Sequence, residues 1–564
     1  TCAWALTASV CRAADVVPAT PPDLTVTVKA GRIGLPAGKI VSYPRAVLRL
    51  DPPAMRDVTV RERGGEDPLV PRDHAKWYDP WEPWPRKGKD GKVNVIALSP
   101  RYCRDRVPIL GGLYRSFVPD SVKVTSVDGA KVFKMGVDYK FNADWGQIAN
   151  LSGRLGKTFV DRVKVTGRYA MQRLDLIQVD VAGKVSVKKG NSVTVCPALP
   201  QADTGAAPLA GIYIAPWRAA ANPNFDAERA ALKPATDYAI TQYEVLPIKP
   251  APPVQPVNKG GVARTFGRLG AGRHVKIALM GDSITLGAEA GRWWDRKIKF
   301  TEKDKSYRGR VIHGLRQRFP KAKVTPIEAY KGGATTKYGL NVLDKDALPA
   351  GPDLVLMAFG ANDASGPIGR GPKNPPEQFK KDMLALVRKA KGGGAEVMLV
   401  VGMQMNPWLK NGADRRWGAY RKAILDIGAA ENVAVADVYT EWMNLASRGI
   451  PPFTQLHNWI NHPGAFGHGV YAGVIFRFFE GKAPPPPPEK RTGLTQPSII
   501  PGKWKLTVQP LPPLAAIVKR PAAELPVYGL YTWCGEYRRH RDSIKKVGWR
   551  VLRVDEAMAE ARIG

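Results

Sequence analysis

The sequence predicts a multidomain chain: an N-terminal all-β, sandwich-like region, then a three-layer α/β domain on a parallel sheet, then a short incomplete βαβ tail. Three observations predict it. Valine alternates with polar residues in short stretches before residue 245, continuous apolar runs alternate with amphipathic stretches between Gly272 and Gly481, and two proline-rich stretches divide the chain. At 564 residues the chain exceeds what one core fills, and its 44% hydrophobic fraction is that of a globular protein.

The opening "TCAWALTASVCRAADVVPATPP" carries a short apolar stretch followed by small residues, so residues 1–21 read as the remnant of a secretory signal or a disordered end. An exported protein, secreted, periplasmic or at the cell surface, is the expectation. Within residues 22–244, read as a β-rich accessory domain, "SVKVTSV", "DRVKVTG" and "AGKVSVKKGNSVTV" alternate with period two, and turn pairs such as Asp128-Gly129 and Lys189-Gly190 separate them. The aromatic loop with Trp77, Tyr78, Trp81 and Trp84 offers flat apolar platforms that suit either a sugar ring or simple packing, and packing is the preferred reading.

"VLPIKPAPPVQPVNKGG" opens a linker read as residues 245–271, and "GKAPPPPPEKRTGLTQPS" one read as 482–527, because such proline density neither continues a helix nor enters a central strand. Between them, residues 272–481 alternate buried strands ("VKIALMG", "DLVLMAFG", "AEVMLVVGM", "VAVADV") with helices. Val311, Ile312, Leu315 and Phe319 make one helical face, and Phe379, Met383, Leu386, Val387 and Ala390 another. Apolar strands alternating with amphipathic helices mean a parallel sheet covered on both faces, with active groups on the loops at the strands' carboxyl ends. Residues 528–564 read as strand, helix, strand: a partial βαβ unit, too short to close a barrel.

Lys+Arg of 85 against Asp+Glu of 50 gives a net charge of +35, which suits an anionic partner, but the basic residues form no dense tract and no nucleic-acid partner is expected. The five cysteines show no CxxC spacing, so no thiolate metal site is expected, and with no metal cluster or phosphate-binding glycine-rich loop apparent no cofactor is implied; in an oxidising compartment Cys103 and Cys196 are candidates for a disulfide. No run approaches the ~18 apolar residues of a membrane span. The oligomeric state is left open.

"MGDSITLGAEAG" places Ser283 at the end of the first apolar strand. Alone, Gly-Asp-Ser reads as a helix cap. It is joined by "YKGGATT" (330–336), "FGAND" (359–363) and "HNWINHPGAFGHGVYA" (457–472), each beyond a strand. These four segments, in this order and spacing, resemble the four sequence blocks of the SGNH hydrolases, also called the GDSL esterase/lipase family; the resemblance covers about 210 of the 564 residues. It implies a flavodoxin-like α/β domain, Ser283 as nucleophile, His462 as base, and Ser283, Gly333 and Asn362 as donors to an oxyanion. The chemistry explains those types: a serine hydroxyl needs an imidazole to take its proton, glycine allows close backbone approach, and Asn donates without adding charge.

The acid departs from the family pattern. The family's Asp stands three residues before the His, and Trp459 stands there in this chain; Asn458 takes the equivalent place if Asn461 is an insertion. Three outcomes are open: a Ser-His dyad whose imidazole is oriented by Asn458 or a backbone carbonyl, an acid from elsewhere such as Asp437, or an impaired site. The first is preferred. His468 reads as structural, Asp282 as a turn residue, and Asp363 as the support of the loop that presents Asn362; His457 and His313 have no partner that the sequence identifies.

What the resemblance implies is a serine esterase. The absence of a long apolar loop near the blocks, together with a C-terminal "GLYTW…GWRVLRV" similar to the first βα unit of a (β/α)-barrel glycoside hydrolase, favours O-acetyl groups on a polysaccharide as substrate. The alternatives are a catalytically impaired domain in a carbohydrate-binding or cell-surface structural protein, and a lipid or acyl-thioester esterase. An ester-bearing small molecule or acetylated polysaccharide is the expected partner.

Overall fold

The computed structural model describes residues 24–62, 95–97, 117–126, 128–135, 137–142, 147–150, 163–193, 195–215, 243–249, 252–290, 305–365, 371–405, 413–457 and 461–484. The aromatic loop at 77–84, Cys103, Asn458, Trp459 and the whole tail read as a partial βαβ unit lie outside these residues.

The N-terminal region is β-rich. Strands β1 (Thr25–Val28) and β4 (Ala46–Arg49) pair with each other, as do β2 (Gly31–Gly34) and β3 (Ile40–Tyr43). A three-stranded sheet joins β6 (Val95–Ala97), β10 (Gln147–Asn150) and β9 (Tyr139–Asn142). A four-stranded one runs β5 (Met55–Glu62), β11 (Val163–Ala170), β7 (Phe117–Ser126), β8 (Val132–Phe133). The last sheet, β13 (Val185–Lys188), β12 (Arg173–Val179), β14 (Ala207–Ile214), β15 (Tyr243–Pro247), is antiparallel throughout. Val26 and Val41 of the first two pairs, with Leu35 and Leu50 just beyond their strands, bury against Ile177, Val179, Ile212 and Ile214 of β12 and β14.

Residues 245–247, expected to open a linker, instead complete β15. Pro247 fits because β15 is an edge strand, where the missing N–H leaves no gap in a ladder. Val257 likewise bridges Val435, and the N–H of Val254 donates to Glu441, so this proline-rich segment is built into the fold.

The second unit carries five parallel strands in the order β17 (Val324–Tyr330), β16 (Val275–Gly281), β18 (Leu354–Ala358), β19 (Glu396–Val401), β20 (Ala434–Asp437). The apolar runs fill both faces. Ile277, Leu279, Leu356, Met398 and Val400 pack with α1 (Ala263–Gly270), α2 (Tyr307–Arg318) and α8 (Ala465–Phe476); Ala278, Met280, Val355, Met357 and Leu399 pack with α3 (Thr336–Val342), α5 (Pro376–Gly392) and α6 (Ala413–Ala430). Adjacent residues of a strand point to opposite faces, so a strand covered on both sides is apolar at every position. The predicted faces of α2 and α5 are buried, with Phe319 the partly exposed member.

The strand order places the topological switch at β16 and β18. The second strand lies to one side of the first and the third to the other, which opens a crevice beyond their carboxyl ends. The β-rich region docks beside it. The Lys249 N–H donates to the Ser447 carbonyl at 2.8 Å, the Tyr213 ring meets Phe453 edge-on at 5.6 Å, and the Gln455 Nε2 donates to the Pro197 carbonyl at 2.9 Å.

At the head of the crevice Gly281 ends β16, where a Cβ would lie 2.1 Å from Thr285 Oγ1 and 2.8 Å from the Ala358 carbonyl oxygen. The second of these is backbone of the neighbouring strand and cannot swing aside. Gly281→Ala is therefore expected to cost ~1 to 3 kcal/mol. A thermal melt reads this as a midpoint lowered by at least a few degrees; an unchanged midpoint contradicts the packing.

Candidate active site

After Gly281 the chain makes a tight turn instead of the helix start that a Gly-Asp-Ser cap suggests. The Leu286 N–H donates to the Asp282 carbonyl and the Ala288 N–H to the Ser283 carbonyl, both at 2.9 Å. Asp282 Oδ1 accepts from the Ile284 N–H at 2.9 Å, and the turn is pinned below by Thr285 Oγ1, 2.8 Å from the Tyr307 hydroxyl. Ser283 is thereby held at the strand end, nearly buried at 4% exposure.

His462 arrives from a hairpin. Leu456 bridges Pro463, the His457 N–H donates to the His462 carbonyl at 2.8 Å, and the Gly464 N–H donates to the Gln455 carbonyl at 3.0 Å. This closure brings His462 Nε2 to 2.7 Å from Ser283 Oγ, across 179 residues of sequence, with the imidazole fully buried.

The "GAND" loop ends β18 in the single-turn helix α4 (Ala361–Ala364). Gly360 has φ of 118°, open only to glycine, and a Cβ there would press on the Trp417 ring. Asn362 is buried at 4% exposure, and its Nδ2 donates to Asp282 Oδ2 at 3.1 Å. A primary amide carries two N–H groups, so this bond orients the side chain and uses one of them. Asp363 supports the loop: its Oδ2 accepts from the Gly360 N–H at 3.2 Å, and its Oδ1 accepts from the Thr336 N–H at 3.0 Å and the Thr336 hydroxyl at 2.7 Å. Asp363 thus ties the Asn362 loop to the start of α3, just past Gly333, whose φ of 75° likewise requires glycine. Among the described residues, neither the Ser283 nor the Gly333 N–H has a hydrogen-bond acceptor.

Burial shifts the carboxyls at this site. Asp282 is pushed up to about 7, chiefly by desolvation against the help of the Ile284 N–H, with the Asp363 charge adding to the rise; Asp363 is raised for the same first reason. Both carboxyls sit where groups that fix Asn362 converge.

Asp437, a candidate to orient the imidazole, is engaged elsewhere. Its Oδ1 caps α7 (Val438–Met443) by accepting from the Thr440 N–H at 3.2 Å, while its Oδ2 accepts from the Thr440 hydroxyl and from Arg421 Nη2, both at 2.7 Å. The reason is its position at the very end of β20, where a side-chain acceptor for a helix N-terminus is needed. Asn458, the other candidate, lies outside the described residues.

His468 is structural. The Tyr307 N–H donates to Nδ1 at 3.2 Å, which leaves the proton on Nε2 to be donated to the Ala288 carbonyl at 3.1 Å. One buried imidazole therefore joins α8, α2 and the Ser283 turn.

Two residues at the site had no partner legible in the sequence: Glu289, buried at the end of the Ser283 turn, and His457, whose Nδ1 lies 2.8 Å from Glu289 Oε2. A third, Cys196, reaches in from the β-rich region, its Sγ 2.7 Å from where a Cβ on Gly464 would stand. Cys196 is a free thiol. Among the described residues no group of three or more His, Cys, Asp or Glu side chains is arranged to hold a metal ion, and no helix is long and apolar enough to cross a membrane.

Residues 279–470 match the model of the GDSL-like Lipase/Acylhydrolase family, so this part of the chain is a GDSL-like acylhydrolase domain, and it holds Ser283, Gly333, Asn362 and His462. Among solved structures, the chain is similar to a lipase/acylhydrolase from Enterococcus faecalis: 25% identity over 36% of this chain and 94% of that one, TM-score 0.29. It is also similar to LAE5, an α/β hydrolase from the metagenome of Lake Arreo, at 22% identity over 36% and 94%, TM-score 0.31. An acetylxylan esterase from Geobacillus stearothermophilus follows at 18% identity over the same shares, TM-score 0.31. No curated protein matches the chain.

Burial lowers His468 from the ordinary 6.5 to about 4, because the charged imidazolium loses its hydration. Between those values the unfolded chain binds more protons, so the contribution of His468 is complete above pH ~6.5 and is lost as pH falls toward ~4. Asp282, raised to about 7, acts in the opposite sense over the same range, so the difference between proteins is the readout: as pH falls from about 7 to 4.5, the melting midpoint of His468→Gln, which keeps a donor for Ala288, is expected to gain on that of wild type. An identical pH slope in the variant contradicts this role.

Proposed function

We propose that the chain is a serine esterase that removes short acyl groups, most plainly O-acetyl, from a polysaccharide by a Ser-His acyl-enzyme route. The single observation that carries this reading is the 2.7 Å contact between Ser283 Oγ and His462 Nε2 inside a GDSL-like acylhydrolase domain. That distance lies within the reach a general base needs.

With Nε2 unprotonated, His462 accepts the hydroxyl proton as Ser283 Oγ attacks the ester carbonyl, and the C=O becomes a tetrahedral oxyanion. The N–H groups of Ser283 and Gly333, neither committed to an acceptor among the described residues, and the second N–H of the Asn362 amide are the donors assigned to it. Collapse expels the alcohol, protonated by His462, and leaves Ser283 acylated. Water, deprotonated by the same imidazole, attacks the acyl carbonyl and restores Ser283 while the carboxylic acid departs.

Near-complete burial of Ser283, Asn362 and His462 favours a small acyl group over a long chain. The alcohol side is read as a polysaccharide, and the location as outside the cytoplasm, from the sequence features described first.

With p-nitrophenyl esters, Ser283→Ala is expected to bring acetate hydrolysis to background, and acetate is expected to be preferred over long-chain esters. Equal, background rates in wild type and Ser283→Ala would support instead an impaired domain in a binding protein. Removing one oxyanion donor typically costs on the order of 10²- to 10³-fold in kcat, the loss expected for Asn362→Ala. An unchanged kcat removes Asn362 from the site.

A further inference from the structure

The proposed mechanism makes no use of Glu289 and His457, yet the chain maintains that pair at a cost. Glu289 is a non-glycine residue at φ 65°, a left-handed conformation that residues of its type rarely adopt. Its side chain is 1% exposed, and Oε1 is buried without a hydrogen-bond partner among the described residues. A strained backbone and a half-satisfied buried carboxylate each oppose folding, and such costs concentrate where they serve a site.

Four non-glycine residues have positive φ among the described residues: Cys196, Asn258, Glu289 and Asn432. Asparagine tolerates this region. The two that do not, Glu289 and Cys196, converge on the hairpin that carries His462. Cys196 packs against Gly464 at its closing end, and burial together with the Glu289 charge pushes its thiol up to about 12, so it stays neutral there. Glu289 engages the same end, accepting a hydrogen bond from His457 Nδ1.

The contacts close a ring. Ala288, next to Glu289, donates its N–H to the Ser283 carbonyl, and its own carbonyl is held by His468. His457 donates its N–H to the His462 carbonyl. Glu289 is therefore fixed to the nucleophile's turn and His457 to the base's hairpin, and the 2.8 Å contact between them spans the same gap as the 2.7 Å contact between Ser283 and His462.

We infer that Glu289 and His457 are a positioning pair that sets the distance between Ser283 and His462. The inference rests on the reading of Ser283 and His462 as nucleophile and base. Cys196, from the β-rich region, packs beside Gly464 and His457, so that region is part of the site's scaffold.

The test is kcat and KM for p-nitrophenyl acetate on the full chain, with a thermal melt for each variant. Glu289→Ala and His457→Gln are expected to lower kcat on the order of 10- to 100-fold with KM within about twofold, as misplacement of a reacting group does. Glu289→Gln, which keeps an acceptor for Nδ1, is expected to recover part of the loss, and Glu289→Ala/His457→Gln to lose no more than the worse single variant. A folded His457→Gln or Glu289→Ala with wild-type kcat overturns the inference, as do a Glu289→Gln no more active than a folded Glu289→Ala and additive losses in the double variant. His457→Gln decides the matter even if Glu289→Ala fails to fold. A wild type that does not hydrolyse the ester overturns the underlying reading of Ser283, a result distinct from an active wild type with unaffected variants.

Discussion

The contact between Ser283 Oγ and His462 Nε2 is the constraint on which the rest of the site depends. Two short polar side chains separated by 179 residues meet in a buried place, so everything between them has to place two backbones to within a fraction of an ångström. The parallel sheet does the coarse part. By ordering its strands second, first, third, it opens a crevice at the ends of β16 and β18 and delivers Ser283 and Asn362 to its two lips. The paired segments around Leu456 and Pro463 do the fine part, and they are fastened to the Ser283 turn through Glu289 and to the β-rich region through Cys196 and Gln455.

Polar groups around this contact leave donors for the oxyanion that the proposed reaction forms. Asp282 takes one N–H of Asn362 and that of Ile284, Asp363 takes those of Gly360 and Thr336, and the N–H groups of Ser283 and Gly333 have no acceptor among the described residues. Preorganised donors cost no rearrangement at the moment of reaction, which is why such an arrangement lowers a barrier more than mobile water does. Burial raises both carboxyls, so the site tolerates their desolvation to keep its donors aimed.

Much of the α/β unit was legible because burial on two faces leaves a plain mark. A strand such as "VKIALMG" has no room for a polar side chain, and a helix such as α5 shows its buried stripe at Phe379, Met383, Leu386 and Val387. The loops bearing Ser283, Gly333, Asn362 and His462 were legible as a set, through their order beyond the strands. The edge strand β15 was not, since proline density argues against a central strand and is silent about an edge. Asp437 misled for a related reason: the same side chain serves as acid or helix cap, and only the neighbouring Thr440 and Arg421 decide which. Glu289 and His457 were illegible because 168 residues separate them and each looks ordinary alone. A glutamate between two alanines gives no sign of the backbone conformation it is held in.

The central claim is that Ser283 is a nucleophile activated by His462. Its most direct test is the mass of the full chain, and of its peptides, after exposure to an organophosphonate ester that reacts with activated serines. The account predicts one adduct per chain, on the peptide containing Ser283, formed far more slowly in His462→Ala. An unmodified Ser283, or an adduct formed at the same rate without His462, contradicts it.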